Sequence, residues 1–133
     1  LKIVARLIKG GLKTRVYMVS LGGFDTHSIQ TNTDTTTGTH ATLMQRLSDA
    51  IRAFQNDLIG LGIEDRVMGM TFSEFGRRVK SNASVGTDHG AAAPLFLFGK
   101  KVNPGILGVN PTIPAAATVN DNVPMQYDFR SIY

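Results

Sequence analysis

The sequence predicts an α/β domain in which parallel strands alternate with helices. Residues 15–21 (RVYMVSL) form an apolar run of strand length that ends at two glycines. Residues 40–59 repeat apolar side chains at helical spacing, and residues 66–72 (RVMGMTF) form a second strand-like run. Strand, helix and strand in this order make a βαβ unit, whose two strands are parallel and whose crossover is right-handed.

The long helix has the clearest periodicity in the chain. Thr39 is its predicted N-cap, and Gly60 and Gly62 are its predicted terminators. Its apolar face consists of Leu43, Leu47, Ala50, Ile51, Phe54 and Leu58.

Three shorter elements complete the prediction. Residues 1–9 alternate apolar and basic side chains as an amphipathic helix does, and Gly10 and Gly11 end it. Residues 95–98 follow a proline as a third strand, and residues 128–133 open a further helix.

Length and composition indicate a single domain fragment spanning residues 1–133. Hydrophobic residues make up 42% and charged residues 18%, as in an ordinary globular protein. No apolar run approaches the roughly 20 residues that span a bilayer. The chain begins at Leu1, so we expect it to be a fragment or a processed product. Segments 31–39 and 111–124 lack periodicity and are predicted to be flexible loops.

The charge balance argues against nucleic acid as a partner. The net charge is +4, but five basic residues and no acid fall within the first fifteen positions. The rest of the chain is close to neutral, and no nucleic-acid-binding motif is present.

The chain contains no cysteine. This excludes disulfides, thiolate metal sites and a cysteine nucleophile. Any metal would be held by histidine, carboxylate or hydroxyl ligands.

Acidic and imidazole side chains gather in the loops that follow the predicted strands. They are Asp25 and His27 in GGFDTH, Glu74 and Arg77 in SEFGR, and Asp88 and His89 in GTDHG. Open α/β sheets place their sites at this edge, where loops after parallel strands meet. Imidazole nitrogen together with carboxylate oxygen suits zinc or manganese, and the guanidinium of Arg77 could hold an anionic group.

Several of these residues, and some of their neighbours, also have a purely structural interpretation. The alternatives are a turn cap for Asp25, an Asx-turn for Asp88, an ion pair of Glu74 with Arg77 or Arg78, core packing for Phe72 and Phe75, and a capping or surface position for His40.

Four segments in order resemble the bacterial domain of unknown function 1501 family: VSLGGFDTH, LSDAIRAFQNDL, DRVMGMTFSEFGRR and GTDHG. The resemblance extends to the terminal DFRSIY and implies the C-terminal portion of a longer, exported protein. That family is similar to the alkaline phosphatase and sulfatase superfamily. The likeness implies a three-layer sandwich with a mostly parallel sheet and metal-dependent hydrolysis of phosphate or sulfate esters.

The resemblance also implies roles for the clustered residues. Asp25, His27 and His89 would bind one divalent metal, with zinc foremost and manganese or calcium as alternatives. Glu74 and Asp88 would serve a second metal or an outer shell. From its fork of donors, and not from the resemblance, Arg77 is the predicted catalytic residue, which would neutralise the anionic group of a small-molecule or polymeric ester.

Two departures from the superfamily pattern favour a different outcome. Phe75 stands where a histidine of the second metal site would be expected. The superfamily nucleophile belongs to an N-terminal region that this sequence does not include, so this chain alone would be catalytically incomplete. The alternative function is therefore a non-catalytic exported binding or structural module that has kept the fold.

Overall fold

A computed structural model of the chain describes residues 1–132. Their regular elements, in chain order, are helix α1 (Lys2–Lys9), helix α2 (Thr39–Gly60), a 3₁₀ turn (Glu64–Arg66), strands β1 (Gly69–Met70), β2 (Gly76–Arg77), β3 (His89–Gly90) and β4 (Leu97–Phe98), and a second 3₁₀ turn (Phe129–Ser131).

The two predicted helices are confirmed, and they build the core together. Ala5 of α1 and Leu58 of α2 are completely buried, and Phe54 and Ile63 join them. The small alanine side chain allows the two helices to approach closely at this point. Of the predicted apolar face of α2, Leu43 is also buried, and its remaining members Leu47, Ala50 and Ile51 are half-buried.

The ends of α2 differ in part from the prediction. Thr39 is the first helical residue, so its assignment as N-cap is wrong. The N-cap is Gly38 at φ +108°, and a side chain there would meet the backbone of Asn32. At the other end Gly60 is the last helical residue and Gly62 adopts φ +64°, a conformation that favours glycine and redirects the chain.

The prediction of a mostly parallel sheet in a three-layer sandwich is wrong. β1 pairs with β4 and β2 pairs with β3, and both pairs are antiparallel two-stranded sheets. The predicted strands 66–72 and 95–98 shrink to two residues each. They pair antiparallel because the chain reverses direction between them without a crossover helix.

The two small sheets are nested in one long hairpin. β2 and β3 lie between β1 and β4 in sequence, and the Thr71 N–H donates to the Phe96 carbonyl on the way from one sheet to the other. The register sets Gly76 opposite Gly90 and Arg77 opposite His89. Residues 73–90, which follow the second predicted strand, therefore form the far end of this hairpin, and the pairing of β2 with β3 brings SEFGR next to GTDHG.

The predicted strand at residues 15–21 does not form. Val16 is 83% exposed and Met18 is 77% exposed. A strand needs a neighbour that takes up its backbone donors and acceptors. Within residues 1–132 no segment pairs with this one, so no βαβ unit arises.

The C-terminal prediction is confirmed in shortened form. The Asp128 side chain accepts a hydrogen bond from the Arg130 N–H and caps the 3₁₀ turn Phe129–Ser131. Tyr133 lies outside the described residues. Of the two segments predicted to be flexible loops, 31–39 contains no helix or strand before Thr39, and 111–124 contains only the isolated bridge of Asn122 with Arg78; their flexibility stays a prediction. In the described chain no helix is long and apolar enough to cross a membrane.

Candidate metal centre

The candidate centre forms where the segment after the first glycine pair lies along the hairpin end. The Ile29 N–H donates to the Ser84 carbonyl (2.9 Å), and the Gln30 N–H donates to the Val85 carbonyl (2.8 Å). The Asn82 side chain donates to the His27 carbonyl at 3.0 Å. These contacts hold Asp25 and His27 beside residues that follow them by about sixty positions.

Glycines make the close approach of these segments possible. A Cβ on Gly86 would lie 2.1 Å from the His27 carbonyl oxygen, and one on Gly90 would lie 2.4 Å from the Arg77 carbonyl oxygen. On Gly76 it would lie 1.9 Å from the carbonyl oxygen of Ala92. Only glycine fits at such distances, so the Gly of SEFGR and the Gly of DHG are packing requirements of the hairpin.

Three predicted ligands converge on one point. The Asp25 Oδ1 lies 2.7 Å from the His89 Nε2 and 3.0 Å from the His27 Nε2, and the two Nε2 atoms are 3.2 Å apart. The three potential ligand atoms all lie within 4.8 Å of one another. All three side chains are about half exposed, so the cluster is open to solvent.

The hydrogen-bond partners fix the tautomer of His27. Its Nδ1 lies 3.1 Å from the Asp88 Oδ1, and a carboxylate can only accept there, so Nδ1 carries the proton. In a neutral imidazole the Nε2 of His27 then presents a lone pair. That lone pair faces the Asp25 carboxylate, which is also an acceptor. Two groups could lie between these acceptors: the Nε2–H of His89, whose nitrogen is 2.7 Å from the Asp25 Oδ1 and 3.2 Å from the His27 Nε2, or a metal ion.

Asp88 occupies an outer position. Its Oδ1 accepts from the Asn82 Nδ2 (3.0 Å) as well as from His27. These hydrogen bonds, Asn82 first and His27 second, lower the pKa of Asp88 below its usual value. Asn82 in turn is held by its own Oδ1, which accepts from the Ser84 and Gly86 N–H groups. Asp88 thus contacts the far nitrogen of a candidate ligand, as a carboxylate behind a metal-bound histidine does.

Asp25 is held in its ionised form. The hydrogen bond from His89 is the main cause that lowers its pKa, and the charges of His27, His89 and Arg77 act in the same direction. An ionised carboxylate is the state that a metal ligand requires.

Arg77 contacts the protein around the cluster. Its guanidinium donates to the carbonyls of Thr87 and Phe24 and lies 3.5 Å from the Asp25 Oδ1. Its side chain is only 21% exposed. Its predicted role toward an anionic substrate group stays a prediction.

The remaining candidates are not among the three converging ligands. Glu74 is exposed and forms no hydrogen bond or ion pair with any described residue, so the alternative of an ion pair with Arg77 or Arg78 is not realised. His40 is half-buried at the start of α2 and does not join the cluster. Phe72 is 59% exposed, which makes its predicted core position wrong. Phe75 is half-buried and stacks on His89.

Sequence reasoning missed Asn82 and Gly86. Both lie in SNASVG, a segment whose Asn, Ser and Gly are ordinary turn residues. The turn itself could have been found from that composition. Its position against His27 depends on contacts between distant segments and leaves no local signal.

Comparison with known proteins identifies a matching family. The family model described as "Protein of unknown function (DUF1501)" matches residues 3–128. No curated protein and no solved structure matches the chain. The relation to the alkaline phosphatase and sulfatase superfamily stays a prediction, as does export. Because the match spans nearly the whole sequence, the chain belongs to the DUF1501 family of proteins of unknown function.

Proposed function

We propose that this chain binds a divalent metal ion through Asp25, His27 and His89, and that the intact protein uses it to hydrolyse phosphate or sulfate esters. The observation that carries the proposal is the convergence of one carboxylate oxygen and two imidazole nitrogens within 4.8 Å. The Asp25 Oδ1 and the His27 Nε2 are acceptors 3.0 Å apart, and a metal ion could bind both together with the Nε2 of His89.

The donor set fits zinc. Two imidazole nitrogens and one carboxylate oxygen are a common catalytic zinc set, which leaves a coordination position open for another ligand. Manganese accepts the same donors. Calcium prefers oxygen ligands, so the two histidines make it the weakest of the three candidates.

The residues around the ligands orient them. Asp88 keeps the proton of His27 on Nδ1 and leaves Nε2 free to bind, while Asn82 holds Asp88 in place. Asp25 remains ionised beside both histidines. A bound divalent metal supplies Lewis-acid chemistry, which polarises an ester oxygen and stabilises developing negative charge.

The ester substrate class rests on the sequence motifs and on the openness of the cluster. Asp25 is 57% exposed and both histidines are nearly half exposed, so an anionic ester could reach them. The order of GGFDTH, SEFGR and GTDHG supports the likeness to phosphate and sulfate ester hydrolases.

Metal analysis of protein purified without a histidine tag tests the metal centre. We expect one zinc per chain, and we expect the double variant His27→Ala with His89→Ala to lose it. His40→Ala is the matched control, because His40 is the remaining histidine of the chain and lies outside the cluster. Full stoichiometry in the double variant would refute the assignment.

A non-catalytic binding module is the second candidate. Phe75 stacks its ring on His89, and the neighbouring Glu74 is exposed and forms no hydrogen bond or ion pair with any described residue. Among the described residues, Glu74 is not part of the group of three potential ligands that converge, and Phe75 offers no ligand atom. Assays of the longest available form of the protein on aryl phosphate and aryl sulfate esters, with added zinc, manganese or calcium, separate the two candidates. Absence of turnover with every metal in a folded, metal-loaded sample would favour the binding module.

A further inference from the structure

The imidazole of His89 is covered on one face by an aromatic ring. The rings of Phe75 and His89 are parallel within 9°, and their centroids are 3.9 Å apart. His89 lies on β3 and is half exposed, so without this ring its imidazole could turn about two side-chain bonds. The stack restricts that rotation while the ring edge with Nε2 faces Asp25.

Arg77 stabilises the same arrangement from the neighbouring strand. It is the cross-strand partner of His89, and its guanidinium carbon lies 4.9 Å from the centroid of the Phe75 ring. This is within the range of a cation–π contact. The Arg77 side chain therefore limits where the Phe75 ring can move.

The guanidinium also joins the two segments that carry the ligands. It donates to the Phe24 carbonyl, directly before Asp25, and to the Thr87 carbonyl, two residues before His89. A planar fork of donors can hold both carbonyls at once, which a single ammonium group cannot do as well. Arg77 thus fixes the separation between Asp25 and His89.

We propose that Phe75 and Arg77 are positioning residues that preorganise His89 and Asp25 for a metal ion. Phe75 holds the plane of the His89 ring, and Arg77 holds the backbone on both sides of the centre. This inference rests on the proposed metal function. By this inference Arg77 acts on the metal centre even when no substrate is bound. Phe75 supports His89 and is more than a substitute for the histidine that the superfamily pattern has at this position.

The first experiment compares metal affinity in four forms of the protein. Zinc affinity is measured by competition with a chromogenic chelator, and site geometry by the absorption spectrum of the cobalt form. We expect Phe75→Leu to weaken zinc binding by about 10- to 100-fold and to change the cobalt spectrum, as loss of a supporting residue does. Phe75→Tyr keeps the flat ring and should retain wild-type affinity. Phe96→Leu is the control, since Phe96 is a 49% exposed phenylalanine away from the cluster.

The second experiment addresses Arg77 through Arg77→Lys, which keeps the charge and removes the fork. We expect zinc affinity to fall without any substrate present, while thermal unfolding reports whether the variant is folded. A residue that served only to bind substrate would leave zinc affinity unchanged.

A metal-free readout keeps the inference testable by itself. Stacking shifts the imidazole carbon-bound protons of His89 upfield in the NMR spectrum, and we expect Phe75→Leu to abolish this shift and Phe75→Tyr to keep it. Wild-type affinity and spectrum in both Phe75→Leu and Arg77→Lys would overturn the inference but not the metal site. Absence of zinc binding by the wild-type protein would overturn the proposed function, and this inference with it.

Discussion

Replacement of Asp88 by Asn tests whether this carboxylate acts behind His27. Asp88→Asn keeps the size of the side chain and an oxygen that can accept from the His27 Nδ1 at 3.1 Å and the Asn82 Nδ2 at 3.0 Å. It removes the negative charge that makes these hydrogen bonds strong and His27 a better donor to metal. We expect zinc affinity to fall by about 10- to 100-fold while the stoichiometry remains at one per chain.

The magnitude distinguishes an outer position from a direct ligand. Removal of a true ligand, as in His27→Ala, should abolish measurable zinc binding, whereas Asp88→Asn should only weaken it. Titration with zinc by calorimetry or chelator competition measures both. Asp34→Asn is the matched control, because Asp34 makes its hydrogen bonds within a surface turn to Thr36. Wild-type affinity in both Asp88→Asn and Asp88→Ala would refute the supporting role of Asp88 behind His27.

Three further predictions concern packing, strain and charge around the centre. Gly86→Ala should lower the free energy of unfolding by about 1–3 kcal/mol and weaken zinc binding, since its Cβ would lie 2.1 Å from the His27 carbonyl oxygen. Thermal melts measure the change, and Gly22→Ala is the control because a Cβ at Gly22 meets no atom within 4 Å. Equal melting temperatures of the two variants would contradict the packing argument. Val85 adopts φ +56°, which is a strained conformation for a β-branched residue. Val85→Asn should therefore raise the free energy of unfolding by about 1 kcal/mol, as measured by urea titration. A lower free energy of unfolding in the variant would show that the conformation is not strained. His89→Ala removes the hydrogen bond that does most to lower the pKa of Asp25, so that pKa should rise toward 3.8 in carboxyl-carbon NMR of the metal-free protein. A carboxyl group with a lowered pKa stabilises the folded state above about pH 3.8, and this stabilisation is lost as the pH falls. The variant should therefore lose less stability on acidification than the wild-type protein. An unchanged Asp25 pKa in the variant would contradict the contact with His89.

The helices could be predicted from the sequence because their information is local. The apolar spacing of α2 marks Leu43, Phe54 and Leu58, and all three are buried. The bounds differ by one residue at each end, since Gly38 at φ +108° and not Thr39 serves as the N-cap. The residue types of the centre could also be predicted from the sequence. Asp25, His27 and His89 carry metal-binding donors, and they lie in the only two segments of the sequence where an Asp and a His stand within two positions of each other.

The strands could not be predicted in the same way. The apolar run at residues 15–21 has strand composition, but its exposed Val16 and Met18 show that no partner covers it within residues 1–132. β1 and β4 are only two residues long, and they pair antiparallel. The convergence that we predicted at the edge of a parallel sheet comes instead from a loop lying against a hairpin end.

The sequence by itself therefore determined the helices and the types of residue that form the open cluster in the loops. A helix closes its hydrogen bonds four residues along the chain, so its pattern can be read without knowing the rest of the fold. The tertiary structure alone decided the strand pairing, the outer position of Asp88 behind His27 and the stack of Phe75 on His89. Each of these depends on contacts between residues 12 to 61 positions apart, which only the folded chain brings together.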